Sequence, residues 1–192
     1  MGFGSQLREA RLAAGLTITE VAERSGFSPS YISQVERDLA NPSIGAINRI
    51  AEATGIRMRT FFSDGATAEA DMSPAVPGRI PTGLIRRDRR KGLTYPGSQV
   101  IFELLCPDLQ HKLEILHSSA PAGTESGDTP IAHTGEECAI VLKGTLELTV
   151  GEEVYLLQAG DAIYFDSGNP HSWKSVGPDP LEVIWVVTPP HF

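Results

Sequence analysis

Cysteine is nearly absent from this chain: two thiols, Cys106 and Cys138, in 192 residues. One pair so far apart is neither a disulfide framework nor a zinc ribbon, and packed thiols in a reducing compartment are expected. No run of 18 apolar residues occurs, so no helix is expected to cross a bilayer. The opening segment MGFGSQLREARLAAG is charged within its first eight residues and lacks the apolar core of a secretory signal. These absences together point to a cytoplasmic protein without membrane partners. Tandem repeats and low-complexity tracts are missing too, and a hydrophobic content of 41% excludes a disordered chain.

Basic charge is also scarce, with 16 Lys and Arg against 24 Asp and Glu and a formal net charge of −8. Taken globally, that argues against a nucleic-acid partner. The distribution removes the objection. Residues 1–60 hold seven Arg against six acids, while the remaining 132 hold nine basic and 18 acidic residues. The acid resides in the second part, and the placement of the arginines in the first matters more than the total.

The periodicity of the chain changes along its length. Over residues 3–62, apolar residues recur at three-to-four spacing, as in Ile18, Val21 and Ala22, or Ile44, Ile47, Ile50 and Ala51. Thr17 with Glu20 forms a capping box, Ser28 precedes Pro29 as an N-cap, and Asn41-Pro42-Ser43 opens a fourth helix that Gly55 closes. Residues 63–84 are small, polar and rich in Pro and Gly, which predicts a linker. From about 95 onward, runs such as KLEILH, TLELTV and LEVIWVV alternate between Gly-containing turns, which predicts an antiparallel sandwich or barrel over residues 85–192.

Within the first part, LTITEVAERSGFSPSYISQVERDLANPS sets a helix at about 18–24 against one at about 29–38, with Gly26 at the tight turn between them. Val21, Ile32 and Val35 fill the core beneath. Thr17 and the first free N–H groups of its helix face a phosphate, and Ser28, Ser30 and Gln34 occupy the outer face of the second helix. This segment resembles the Xre/λ-repressor-like helix-turn-helix family over residues 5–62. The resemblance implies a five-helix DNA-binding domain in which Ser30, Tyr31, Ser33 and Gln34 face bases, and Thr17, Arg37, Asn41 and Ser43 face phosphates. It also implies a homodimer on a near-palindromic operator.

In the second part, HTGEECAIVLKG and GDAIYFDSGNPHSWKS resemble the two motifs of the cupin superfamily, a double-stranded β-helix or jelly-roll barrel. His133, Glu137 and Gly144 fall at motif positions of the first, and Gly160, Gly168 and His171 at those of the second. Ile131 stands where the first motif has its first histidine, and Asp166 and Ser175 replace a proline and an asparagine. On an extended strand Ile131 and His133 share a face. His133, Glu137 and His171 would then offer two imidazoles and a carboxylate, a set suited to a divalent metal such as zinc or iron with open positions. Two readings stand side by side: a metal centre, or histidines lining an effector pocket together with Trp173, Tyr164 and Phe102. The expected function is a DNA-binding regulator whose barrel binds a small molecule. The alternative is an epoxidase-like mononuclear non-haem iron oxidoreductase of the cupin class, which the H-x3-E pattern and a distant histidine also fit. The basic run RRDRRK at 86–91 could track phosphate or pair with acids at a dimer interface.

Overall fold

A computed structural model of the chain describes residues 3–56, 71–72, 82–94 and 99–191. The N-terminal part holds four helices: α1 (Phe3–Ala13), α2 (Ile18–Ser25), α3 (Pro29–Val35) and α4 (Ile44–Thr54). The expected caps are present. The Thr17 side chain accepts from the Glu20 N–H while Glu20 reaches back to the Thr17 backbone, and Ser28 and Ser43 cap α3 and α4 through the N–H groups of Tyr31 and Ala46. Gly26 takes φ 71°, a left-handed conformation, and ends α2 so that α3 can cross it. Residues 57–62, where a fifth helix would lie, and most of the linker at 63–84 fall outside the described residues.

α3 is shorter than its periodicity predicts, because two tertiary contacts capture its last turn. Arg11 on α1 grips the Glu36 carboxylate through Nε and Nη2, at 2.5 and 2.9 Å, and gives Nη1 to the Leu16 carbonyl at 2.8 Å. Asp38, at φ 55°, accepts the Gly4 N–H at 2.8 Å. Both side chains of the Arg11–Glu36 pair are less than 10% exposed, so Glu36 is a core residue and not part of a solvated helix face. Beneath them Leu7, Val21, Ile32, Val35, Ile47 and Ile50 are buried together.

Two-residue strands β1 (Asp71–Met72) and β2 (Gly83–Leu84) pair antiparallel, so the described residues of the expected linker include a short ladder. A 3-10 turn at Arg87–Arg89 follows, and Arg90 is ion-paired to Glu103 at 3.1 Å within the chain. The remaining strands are β3 (Gly92–Thr94), β4 (Ile101–Leu104), β5 (Glu114–Ala120), β6 (Glu136–Lys143), β7 (Thr145–Val150), β8 (Glu153–Gln158), β9 (Ala162–Asp166), β10 (His171–Val176) and β11 (Leu181–Thr188). They form an antiparallel six-stranded sheet in the order β3-β4-β5-β11-β6-β9 and a three-stranded sheet in the order β10-β7-β8. Inward positions alternate along each strand, as in Leu181, Val183, Trp185 and Val187 of β11. β8 departs from this pattern: only Leu157 is buried, and Val154 and Leu156 are exposed on an edge strand.

Candidate functional site: a barrel cavity closed by the helical domain

The site draws its residues from both sheets, β6 of the six-stranded one and β10 of the three-stranded one. Glu137 on β6 faces inward at 7% exposure, and His171 begins β10 at 6%. His133 lies in the loop before β6 instead of on a strand. It is held there by its own N–H, which donates to the Ser167 carbonyl at 2.9 Å, while Ile131 and His171 exchange backbone hydrogen bonds at 2.8 Å. The Nε2 atoms of His133 and His171 each stand 3.4 Å from Glu137 Oε2, and one ligand atom from each of the three residues lies within 4.8 Å of the others.

Those distances discriminate between two chemistries. A charge-assisted hydrogen bond between imidazolium and carboxylate closes to about 2.7–2.9 Å. Donor atoms placed about 2.0–2.1 Å from a tetrahedral metal lie roughly 3.4 Å from one another, and each Nε2 stands that far from Glu137 Oε2. Nδ1 of His171 lies 2.9 Å from the Asn169 carbonyl, which leaves Nε2 as the ring atom turned toward Glu137. The three residues therefore form a group that could hold a metal.

The cavity around the triad is lined by Phe102, Glu114, Leu116, Ile131, Trp173, Trp185, Val187 and His191. Its volume is about 50 Å³, whereas one ordered water takes ~10–15 Å³ on the same measure. A compact ligand or a metal with its waters fits. Of the expected pocket residues, Phe102 and Trp173 line it, and Tyr164 does not. Tyr164 is 64% exposed, because it is out of phase with Phe165, the inward residue of β9. Cys138, next to Glu137, faces away from the cavity as expected from period-two geometry.

Several cavity residues escaped sequence reasoning. His191 stacks on His133 with ring centroids 4.1 Å apart and planes 10° off parallel. Burial, followed by the neighbouring His133 and His171, pushes its pKa down to about 4, so the ring is neutral at pH 7. Nothing periodic announces a histidine beyond the last strand. Glu114 is fully buried and accepts the His191 N–H at 2.8 Å. It had a signal, a carboxylate in phase with the inward Leu116, Ser118 and Ala120 of β5.

Two further residues of the cavity come from the other domain. Ile44 and Asn48, one turn apart on α4, close it from above. Ile44 is 3% exposed, and the buried Oδ1 of Asn48 has no hydrogen-bond partner among the described residues.

In the helical domain, the expected base-facing residues Ser30 and Gln34 are exposed, with Gln34 Nε2 3.5 Å from Ser30 Oγ, and Ser33 is half-buried. Ser28, Thr17, Arg37 and Asn41 are exposed as well. Tyr31 and Ser43 are half-buried, because they line a cleft against the barrel.

Residues 7–61 match the family model described as Helix-turn-helix, and residues 117–187 match the one described as Cupin domain. The HTH-type transcriptional regulator PuuR of Escherichia coli (strain K12) is 30% identical over 191 residues, covering 98% of this chain and 96% of that protein. The chain belongs to the XRE-type helix-turn-helix regulators that carry a cupin domain. A second member of Escherichia coli, the HTH-type transcriptional regulator SutR, is 23% identical over 91% of this chain and 88% of its own length. The crystal structure of an HTH_3 family transcriptional regulator from Vibrio cholerae superposes with a TM-score of 0.68, covering 97% of this chain and 94% of that one at 23% identity, which shows a shared fold. This helix-turn-helix–cupin regulator is accordingly a DNA-binding transcriptional regulator. No helix among its described residues is long and apolar enough to cross a membrane.

Proposed function

We propose that the regulator is a cytoplasmic homodimer that reads a near-palindromic operator and senses a small-molecule effector in its barrel. The division of labour is residues 3–62 for DNA, 63–84 as connection and 85–192 for sensing. Ser30, Tyr31, Ser33 and Gln34 contact bases, with Ser28 beside them on the outer face, and Thr17, Arg37, Asn41 and Ser43 contact the backbone. Exposure of Ser30 and Gln34 on the outer face of α3 supports this reading. In the barrel, His133, Glu137 and His171 hold a divalent metal, zinc or iron, with Phe102 and Trp173 as apolar walls for the effector. The observation that carries the metal is the 3.4 Å spacing of the two Nε2 atoms from Glu137 Oε2. When bound, such an ion supplies open coordination positions to a ligand's oxygen or nitrogen.

The test is elemental analysis of protein purified without a metal-affinity tag, beside a His133→Ala/His171→Ala variant. Near-stoichiometric zinc or iron, lost in the variant, is the expected result. Absence of metal from both would overturn the metal centre and leave the histidines as direct effector contacts. The same two-histidine, one-carboxylate set is what favours the second reading, a non-haem iron oxidoreductase. Substrate-dependent oxygen consumption by the iron-loaded protein would establish it.

A further inference from the structure

α4 belongs to two structures at once. Its inner face packs in the helical domain through Ile47 and Ile50, while its first turn is seated on the barrel. The approach there is close enough to exclude side chains. A Cβ on Gly45 would come 2.2 Å from the Thr129 carbonyl oxygen, and one on Gly127 would come 2.3 Å from Ser43 Cβ. Each domain thus contributes a glycine at the point where the other touches it. The Gly45 N–H donates to the Ser126 carbonyl at 3.2 Å, and the Ala46 N–H is taken by Ser43 Oγ at 3.2 Å. Donors at the start of a helix are the ones that meet an anion such as a phosphate. Here the second and third of them are already engaged.

Beside this contact lies a cleft of about 390 Å³. One wall is Phe27, Tyr31, Asn41, Pro42, Ser43 and Ala46, and the other is Glu125, Gly127, Asp128 and Thr129. The first wall includes three residues proposed above to contact DNA. The second carries two carboxylates, of which Glu125 is ion-paired with Lys174 at 3.5 Å.

We propose that the loop carrying Glu125–Thr129 is an autoinhibitory clasp: seated on the first turn of α4, it masks the phosphate-contacting surface, so that DNA and the barrel compete for it. This rests on the assignment of Asn41 and Ser43 to phosphates. Steric exclusion comes from the Gly45–Thr129 and Ser43–Gly127 contacts, and charge exclusion from Glu125 and Asp128. Binding DNA with this surface requires α4 to leave the barrel. The linkage between sensing and DNA binding is then direct contact through α4, and does not depend on transmission through residues 63–84.

The test is the affinity of the full chain for a labelled random-sequence 30-base-pair duplex at low salt, read by fluorescence anisotropy. Glu125→Gln/Asp128→Asn removes the charge and leaves the backbone contact. Gly45→Ala places a methyl against Thr129 while favouring the helix itself. Each is expected to tighten binding by about tenfold, whereas the charge-matched control Glu152→Gln/Asp179→Asn changes it by less than about twofold. Wild-type affinity in both clasp variants would overturn the clasp, and so would an equal gain in the control. Asn41→Ala/Ser43→Ala in the Gly45→Ala background is expected to abolish the gain. Should it leave the gain intact, the phosphate assignment fails and takes the mask with it, even though the first two variants behaved as expected.

Discussion

Asn48 offers the sharpest quantitative prediction. Its amide oxygen is buried at the roof of the barrel cavity without a hydrogen-bond partner among the described residues. An unsatisfied buried acceptor costs about 1–3 kcal/mol relative to one in water. When α4 lifts off the barrel the amide regains water, so the penalty bears on the docked arrangement alone. Asn48→Leu removes the orphaned oxygen and adds apolar volume next to a cavity of about 50 Å³ that can receive it. The docked native state is therefore expected to gain about 1–2 kcal/mol, allowing for imperfect packing. Thermal unfolding in metal-free buffer would show this as a midpoint raised by about 2–8 °C. Because DNA has to displace the docked helix, the same substitution is expected to weaken random-duplex binding, by about tenfold for each 1.4 kcal/mol. A lower melting point would refute the cost assigned to the amide. A higher melting point with unchanged DNA affinity would refute its link to docking. A ligand that donates a hydrogen bond to the Asn48 oxygen is expected to imitate the substitution and weaken random-duplex binding.

Other outcomes follow from the geometry. Glu36→Gln leaves the Arg11 guanidinium buried without its carboxylate and is expected to destabilise the chain by about 3–5 kcal/mol in urea melts; Arg11→Met/Glu36→Leu, which removes both charges, is expected to lose far less. Gln34→Ala is expected to weaken operator binding by about 1–3 kcal/mol and to relax selectivity at one base position, measured by competition among operator variants. Glu137→Gln weakens an anionic donor set and is expected to lower cobalt affinity at least about tenfold in absorbance titrations, with a melting point close to wild type in the absence of metal.

Much of the local architecture was legible because it is written in near neighbours. Thr17 and Glu20, Ser28 and Pro29, and Gly26 announce helix ends through contacts spanning a few residues, and the structure has them at those places. Alternation along β11 and β5 likewise fixes which face is inward. Tyr164 and Phe165 show the limit: adjacent aromatics on one strand face opposite ways, and composition does not choose between them. The end of α3 was missed because Arg11, 25 residues away, determines it. His133, Glu137 and His171 were recoverable from motif spacing, whereas His191 and Asn48 reach the cavity through long-range packing. Asn48 did leave a trace, a polar residue in phase with Ile44 and Ala51 on the apolar side of its helix.

α4 has nine of its eleven residues buried, all but Arg49 and Glu52, because the helical domain and the barrel both pack against it. A shared helix removes the independence that two separate domains would have in unfolding. Melting the barrel strips the cover from Ile44 and Asn48, and melting the helical domain takes the roof off the barrel cavity. The chain is thus expected to unfold as a single cooperative unit, with one calorimetric transition whose van't Hoff and calorimetric enthalpies agree. Ligands of the barrel would then protect backbone amides of α2 and α3 from hydrogen exchange, although they touch neither helix.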